Sequence, residues 1–160
     1  MIVIVEGIDG AGKTNVVKYL EEKHGFKFFN KEMKGHKFAN MEIYKKCLEA
    51  GEKDLIVLDR FIYSEWVYGQ SLRNYSFNLQ TFEAHLDMRE KNIVLLLIDL
   101  NHDIAKQRIL IRDGKAERQN LEKERNLFTK AFNFSIVKNK IAIYNDDFEF
   151  VKKIVDAIIK

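Results

Sequence analysis

With 160 residues, 46% hydrophobic and 32% charged, the chain is long enough for one buried core and has the make-up of a globular protein rather than a disordered one. A formal charge of +3 is too small to imply a nucleic-acid partner, and no apolar run reaches the length of a membrane span. The chain opens without a charged leader or cleavage site, and Cys47 is its single cysteine, so the expected setting is cytoplasmic, with no membrane and no internal disulfide.

Residues 2–6 form an apolar strand pattern, followed at once by Gly7-Ile8-Asp9-Gly10-Ala11-Gly12-Lys13-Thr14 and an amphipathic run to Lys23. The spacing G-x-x-x-x-G-K-T between a strand and a helix is that of a P-loop. Gly7, Gly10, Ala11 and Gly12 let the backbone curl until several N–H groups converge on one anion, and the helix adds its positive N-terminal end. Lys13 is then expected to reach the β- and γ-phosphates of ATP, and the Thr14 hydroxyl to ligate Mg²⁺.

Gly25 is expected to end this helix, with a second strand over 26–29 and Asn30-Lys31-Glu32 at its exit. A helix follows from about 36 to 50, closed by Gly51 as a C-cap, with Cys47 as buried filler. Residues 55–58 are apolar on both faces, which predicts a central parallel strand, ending in Asp59-Arg60. Helical spacing runs over 62–72 and 77–89, and 93–98 is a fourth strand ending in Asp99. A basic helical region spans about 102 to 137 with a break at Asp113-Gly114. Residues 141–144 form a fifth strand, and Asp146 is expected to cap a last helix that holds Val151, Ile154, Val155 and Ile158 on one side.

Alternating strands and helices with long connections imply an α/β fold: three layers, a five-stranded parallel sheet with helices on both faces, in one domain over 1–160. In such sheets ligands gather at the carboxyl ends of the strands, which brings the P-loop, Lys31-Glu32, Asp59-Arg60 and Asp99 to one rim. Asn145, just past the fifth strand, joins the expected ATP-binding set. Asp59, an acid after four apolar strand residues, has the Walker B arrangement and is expected to hold Mg²⁺ across from Thr14. Arg60 then faces a site rich in phosphate oxygens, which suits a planar guanidinium. The cations Arg108, Arg112, Lys115, Arg118, Lys123 and Arg125 read either as a solvated helix paired with interleaved acids or as an arginine-rich lid within about 108–125, with phosphoryl transfer favouring the lid.

With these residues in place the chain resembles the thymidylate kinase family of P-loop nucleoside monophosphate kinases. Glu6-Gly7-Ile8-Asp9-Gly10-Ala11-Gly12-Lys13-Thr14 is similar to that family's E-G-x-D-G-A-G-K-T opening. Asp59-Arg60-Phe61 with Ser64, Tyr68 and Arg73 follows its D-R-Y-x-x-S-x-x-A-Y-x-x-x-x-R pattern, and Asp99, Ala105, Arg108, Arg112 and Glu117-Arg118 resemble its later motifs. The resemblance implies that Asp9 accepts from the 3′-hydroxyl of the acceptor sugar, that Arg60 grips the acceptor phosphate with Arg73 nearby, and that Tyr68 lies under the sugar. It places Ser64 and Glu65 where the base is read, and Arg112 and Arg118 as lid arginines closing on ATP. It also implies a homodimer, to which the apolar positions Tyr63, Trp66 and Val67 are expected to contribute.

Only 45 residues separate Lys13 from Asp59, fewer than in ordinary members, so Lys31-Glu32-Met33 stands in for the family's R-E-P turn and Phe38 for its stacking aromatic. Glu65 is an unusual neighbour for a base, because a carboxylate accepts hydrogen bonds and prefers a base that offers donors. The leading reading is a deoxynucleoside monophosphate kinase acting on dTMP or another dNMP with Mg²⁺ and ATP. One alternative is a deoxynucleoside kinase that uses Glu32 as base on a 5′-hydroxyl, and the non-enzymatic one is a nucleotide-binding regulatory relic.

Overall fold

The computed structural model describes residues 1–29, 41–115 and 120–159. Five parallel strands, β1 (Ile2–Glu6), β2 (Lys27–Phe28), β3 (Ile56–Asp59), β4 (Ile93–Asp99) and β5 (Asn139–Tyr144), lie in the order β2-β3-β1-β4-β5. All of β1 is buried and β4 is buried up to Ile98. A strand covered on both faces reads as an unbroken apolar run, which is why these two were plain in the sequence. The register sets Val5 opposite both Asp59 and Leu96, and Asp99 opposite Tyr144, so these strands finish on one rim.

The helices are α1 (Lys13–His24), α2 (Met41–Lys53), α3 (Ile62–Leu72), α4 (Leu79–His85), α5 (His102–Asp113), α6 (Leu121–Phe134) and α7 (Phe148–Ile158). α1 packs against α7, while α3, α4 and α6 pack together, and the sheet lies between the two groups as the middle of three layers. The core joins Val3, Ile4, Val57, Leu58, Leu95 and Leu96 of the sheet to Val16, Leu20, Val67, Phe128 and Val155 of the helices.

Several boundaries differ from those expected, each for a local reason. β2 starts after Phe26 because the Phe26 N–H donates to Leu20 O at 3.2 Å, closing α1 instead of pairing with the sheet, while the Phe29 N–H still donates to Val57 O of β3. Gly51 is not a C-cap: it lies inside α2, where a Cβ would fall 2.0 Å from Cγ1 of buried Ile2. The helix expected over 77–89 is confined to α4, begun by the Asn78 side chain accepting from Thr81 N and ended where Asp87 turns left-handed, φ 53°. Asp147 rather than Asp146 caps α7, accepting from Glu149 N. Tyr63, Trp66 and Val67 are interior, with Tyr63 bonded to Glu83 and the Trp66 indole N–H to Phe77 O, so they offer no apolar surface for a dimer.

Candidate active site

The turn between β1 and α1 forms a cradle that side chains could not enter. Gly7, Gly10 and Gly12 all have left-handed φ, at 141°, 78° and 96°. A Cβ on Gly7 would lie 2.2 Å from Ile98 O, and one on Gly12 would lie 2.3 Å from Asn145 Nδ2. Gly12 begins α1 with no side-chain cap, so no side chain covers the positive end of the helix. Asn145, 3% exposed, donates its amide to Ala11 O at 2.7 Å while its own N–H is tied to Asp99 O, so it braces the loop.

Lys13 is buried and donates to Ile8 O at 2.8 Å, its chain folded back across the cradle. Burial, and next the neighbouring Arg60 charge, lower its pKa from 10.5 to about 7, against the opposing pull of Asp59, Asp9 and Glu6. The cradle opens into a cavity of about 430 Å³ lined by Asp9, Lys13, Thr14, Arg108, Arg112 and Phe148, among others. Three cations against one carboxylate suit an anionic guest.

Thr14 is exposed on the first turn of α1, and Asp59 ends β3 one strand away. Among the described residues no cluster of three or more His, Cys, Asp or Glu could hold a metal by itself. A hydroxyl and a carboxylate, both hard oxygen donors beside a phosphate cradle, nevertheless fit Mg²⁺, which takes most of its shell from phosphates and water.

Arg60 follows Asp59 with a left-handed φ of 74°, a conformation a side-chain-bearing residue rarely adopts. Its Nη1 donates to Tyr68 OH at 2.7 Å and to Ser64 Oγ at 3.3 Å, and its guanidinium carbon lies 5.0 Å from the Tyr68 ring centre. Tyr68 is held in turn by an edge contact with Phe128. Ser64 does not face open space: it is 6% exposed and donates its hydroxyl to Glu6 Oε2. Arg73, the C-cap of α3, reaches back along the helix to pair with Glu65 of its first turn at 3.1 Å.

On the other side, α5 sends Arg112 back to the loop, with Nη2 3.4 Å from Asp9 Oδ2 and two shorter bonds to Asp113. Those bonds, Asp113 first and then Asp9, raise the Arg112 pKa further. Arg108 Nη2 donates to Asn145 O at 3.1 Å. Arg125 departs from the lid reading, since it grips Asp99 with two bonds of 2.7 and 2.8 Å and ties α6 to the end of β4. Glu32, Phe38 and Arg118 lie outside the described residues.

A thymidylate kinase of Helicobacter pylori strain P12 is 30% identical to this chain over 165 residues, covering 82% of each protein. The chain belongs to the thymidylate kinase family. The thymidylate kinase of a second Helicobacter pylori strain, ATCC 700392 / 26695, is 28% identical and covers 77% of the chain. No protein-family model matches the chain. The fold is shared with YorR protein of Bacillus subtilis, solved in complex with phosphorylated GDP, at a TM-score of 0.78 and 16% identity, covering 99% of this chain and 95% of that one. It is shared also with a deoxyadenosine kinase from M. mycoides, TM-score 0.66 and 15% identity over 99% and 98% of the two chains. Thymidylate kinase from Ehrlichia chaffeensis matches at 0.56 with 16% identity over 100% and 98%.

Membership in this family makes the chain a nucleotide or nucleoside kinase. Within the kinase, sequence reasoning passed over two residues that the geometry brings to the site. Phe148 lines the cavity beside Arg108, which the lid reading already included, although Phe148 fell within the last predicted helix and carried no signal of its own. Glu6 read as the end of a strand, yet it lies buried beneath Arg60. Its motif position was visible, but its cross-chain partners were not.

Proposed function

We propose that this kinase transfers the γ-phosphoryl group of ATP to the phosphate of dTMP or another deoxynucleoside monophosphate, within one domain whose lid lies at about 108–125, Arg125 apart. The observation that carries the reading is Arg60, a half-buried guanidinium backed onto Tyr68 at the end of β3, one strand away from the P-loop. A cation held there has a use if the second substrate is itself an anion. An oxygen of the acceptor phosphate attacks the γ-phosphorus, the bond from that phosphorus to the β-bridging oxygen breaks, and ADP leaves. The attacking oxygen already carries charge, so no general base is needed, and catalysis consists of positioning and charge neutralisation.

Lys13 and the loop N–H groups hold the β- and γ-phosphates, Arg60 holds the acceptor, and Arg108 and Arg112 close from α5. Mg²⁺, held by Thr14 and Asp59, would supply further neutralisation of the phosphates. Asp9 exchanges Arg112 for the acceptor sugar when both substrates are present.

The test is ADP release with ATP, Mg²⁺ and a panel of dNMPs and deoxynucleosides. Acceptor-stimulated release with at least one dNMP is expected. Release with nucleosides alone would replace this reading by 5′-hydroxyl phosphorylation, and binding without stimulated release would leave a nucleotide-binding relic.

A further inference from the structure

Glu6 is the last residue of β1, immediately before the P-loop glycines, and is only 2% exposed. Its Oε1 accepts from Phe61 N at 2.6 Å and Ser64 N at 3.2 Å, and its Oε2 accepts from Ser64 Oγ at 2.5 Å. These are the bonds of a helix N-cap, but α3's own N-cap residue is Phe61, which has no side-chain acceptor. The cap comes from a neighbouring strand instead.

The turn it caps is strained. A left-handed residue with a β-carbon is strained and persists only where its surroundings over-determine it. Here the Arg60 N–H donates to Val5 O at 3.0 Å and the next N–H, that of Phe61, donates to Glu6. Both peptide groups flanking the strained residue are thus fastened to consecutive residues of β1. Ser64 completes the arrangement, since one hydroxyl both donates to Glu6 and accepts from the Arg60 guanidinium.

We infer that Glu6 is a positioning residue for the acceptor: by fixing the turn at Arg60 to the strand that carries the P-loop, it sets the placement of the acceptor-phosphate cation relative to the ATP cradle. This rests on the acceptor role given to Arg60 above. A purely stabilising cap would not call for a carboxylate, which burial penalises. Desolvation raises the Glu6 pKa to about 7, only partly offset by the Ser64 hydrogen bond and the Arg60 charge. The neighbouring cation is the feature that a neutral cap would leave unused.

The experiment compares Glu6→Ala, Glu6→Gln and Ser64→Ala by steady-state kinetics, with KM for the dNMP and for ATP measured separately and folding checked by thermal melting. Glu6→Ala is expected to raise the dNMP KM about tenfold or more while leaving the ATP KM within about twofold, because only the aim of one charge-assisted contact is lost. Glu6→Gln still accepts from Phe61 N but sets no charge against Arg60, and is expected to recover only part of the loss. If Glu6→Ala does not fold, Ser64→Ala carries the test and must raise the dNMP KM selectively. A lower melting temperature with both KM values unmoved, or equal shifts in both, overturns the positioning role while leaving the kinase reading intact. Absence of dNMP turnover in the unaltered protein overturns the kinase reading and this inference with it.

Discussion

Lys13, to which the proposed reaction gives the β- and γ-phosphates, has an environment that makes its charge conditional. A base whose folded pKa is depressed contributes stability above its unfolded value, and that contribution is lost as pH falls from 10.5 through about 7. The phosphates of a bound nucleotide would oppose the depression. ATP binding near pH 8 is therefore expected to take up protons, seen as a buffer-dependent heat in calorimetry, and Lys13→Ala is expected to abolish that dependence. The same substitution removes a preorganised charge and should lower the rate of ADP formation by about 10²–10³-fold with the fold retained. Glu6 has the opposite sign. An acid with a raised pKa contributes stability below its unfolded value of 4.5, lost as pH rises through about 7. Melting curves from pH 5 to 8 should therefore show Glu6→Gln gaining on the unaltered protein, by on the order of a few kcal/mol across the window.

At the scale of elements, what matters is how each end is stopped and what it is stopped against. The break near Asp113-Gly114 was legible because glycine in a left-handed turn closes a helix, and Gly114 does so with φ 73° and its N–H on Leu110 O. Gly51 carried the same signal with a different cause, since it serves close approach of α2 to Ile2 in β1. Local pattern alone cannot separate these two uses of glycine. Gly51→Ala should therefore overpack the core and lower stability by about 1–3 kcal/mol, measured by denaturant unfolding, and Ile2→Ala, which removes the opposing Cγ1, should cost less in that background than alone. Arg125 illustrates the same limit among charges. In sequence it was one cation of a basic run, and only the juxtaposition of α6 with the end of β4 turned it into the partner of Asp99.

For the whole molecule, the cradle is part of the folded state and vanishes with it, so a ligand that fills it should stabilise the entire chain. ATP at about 100 times its Kd is expected to add about 2.7 kcal/mol to unfolding, with Lys13→Ala reducing the increment at equal ATP concentration. No described helix is long and apolar enough to cross a membrane. The sequence by itself determined the layered α/β plan and the P-loop, because buried strands must be apolar and a phosphate turn must be rich in glycine, and both constraints act between near neighbours in the chain. Tertiary structure alone decided that Ser64 turns inward to Glu6, that Arg112 meets Asp9 and that Tyr63, Trp66 and Val67 are interior. Those outcomes depend on contacts between residues tens of positions apart, which packing brings together and no local pattern encodes.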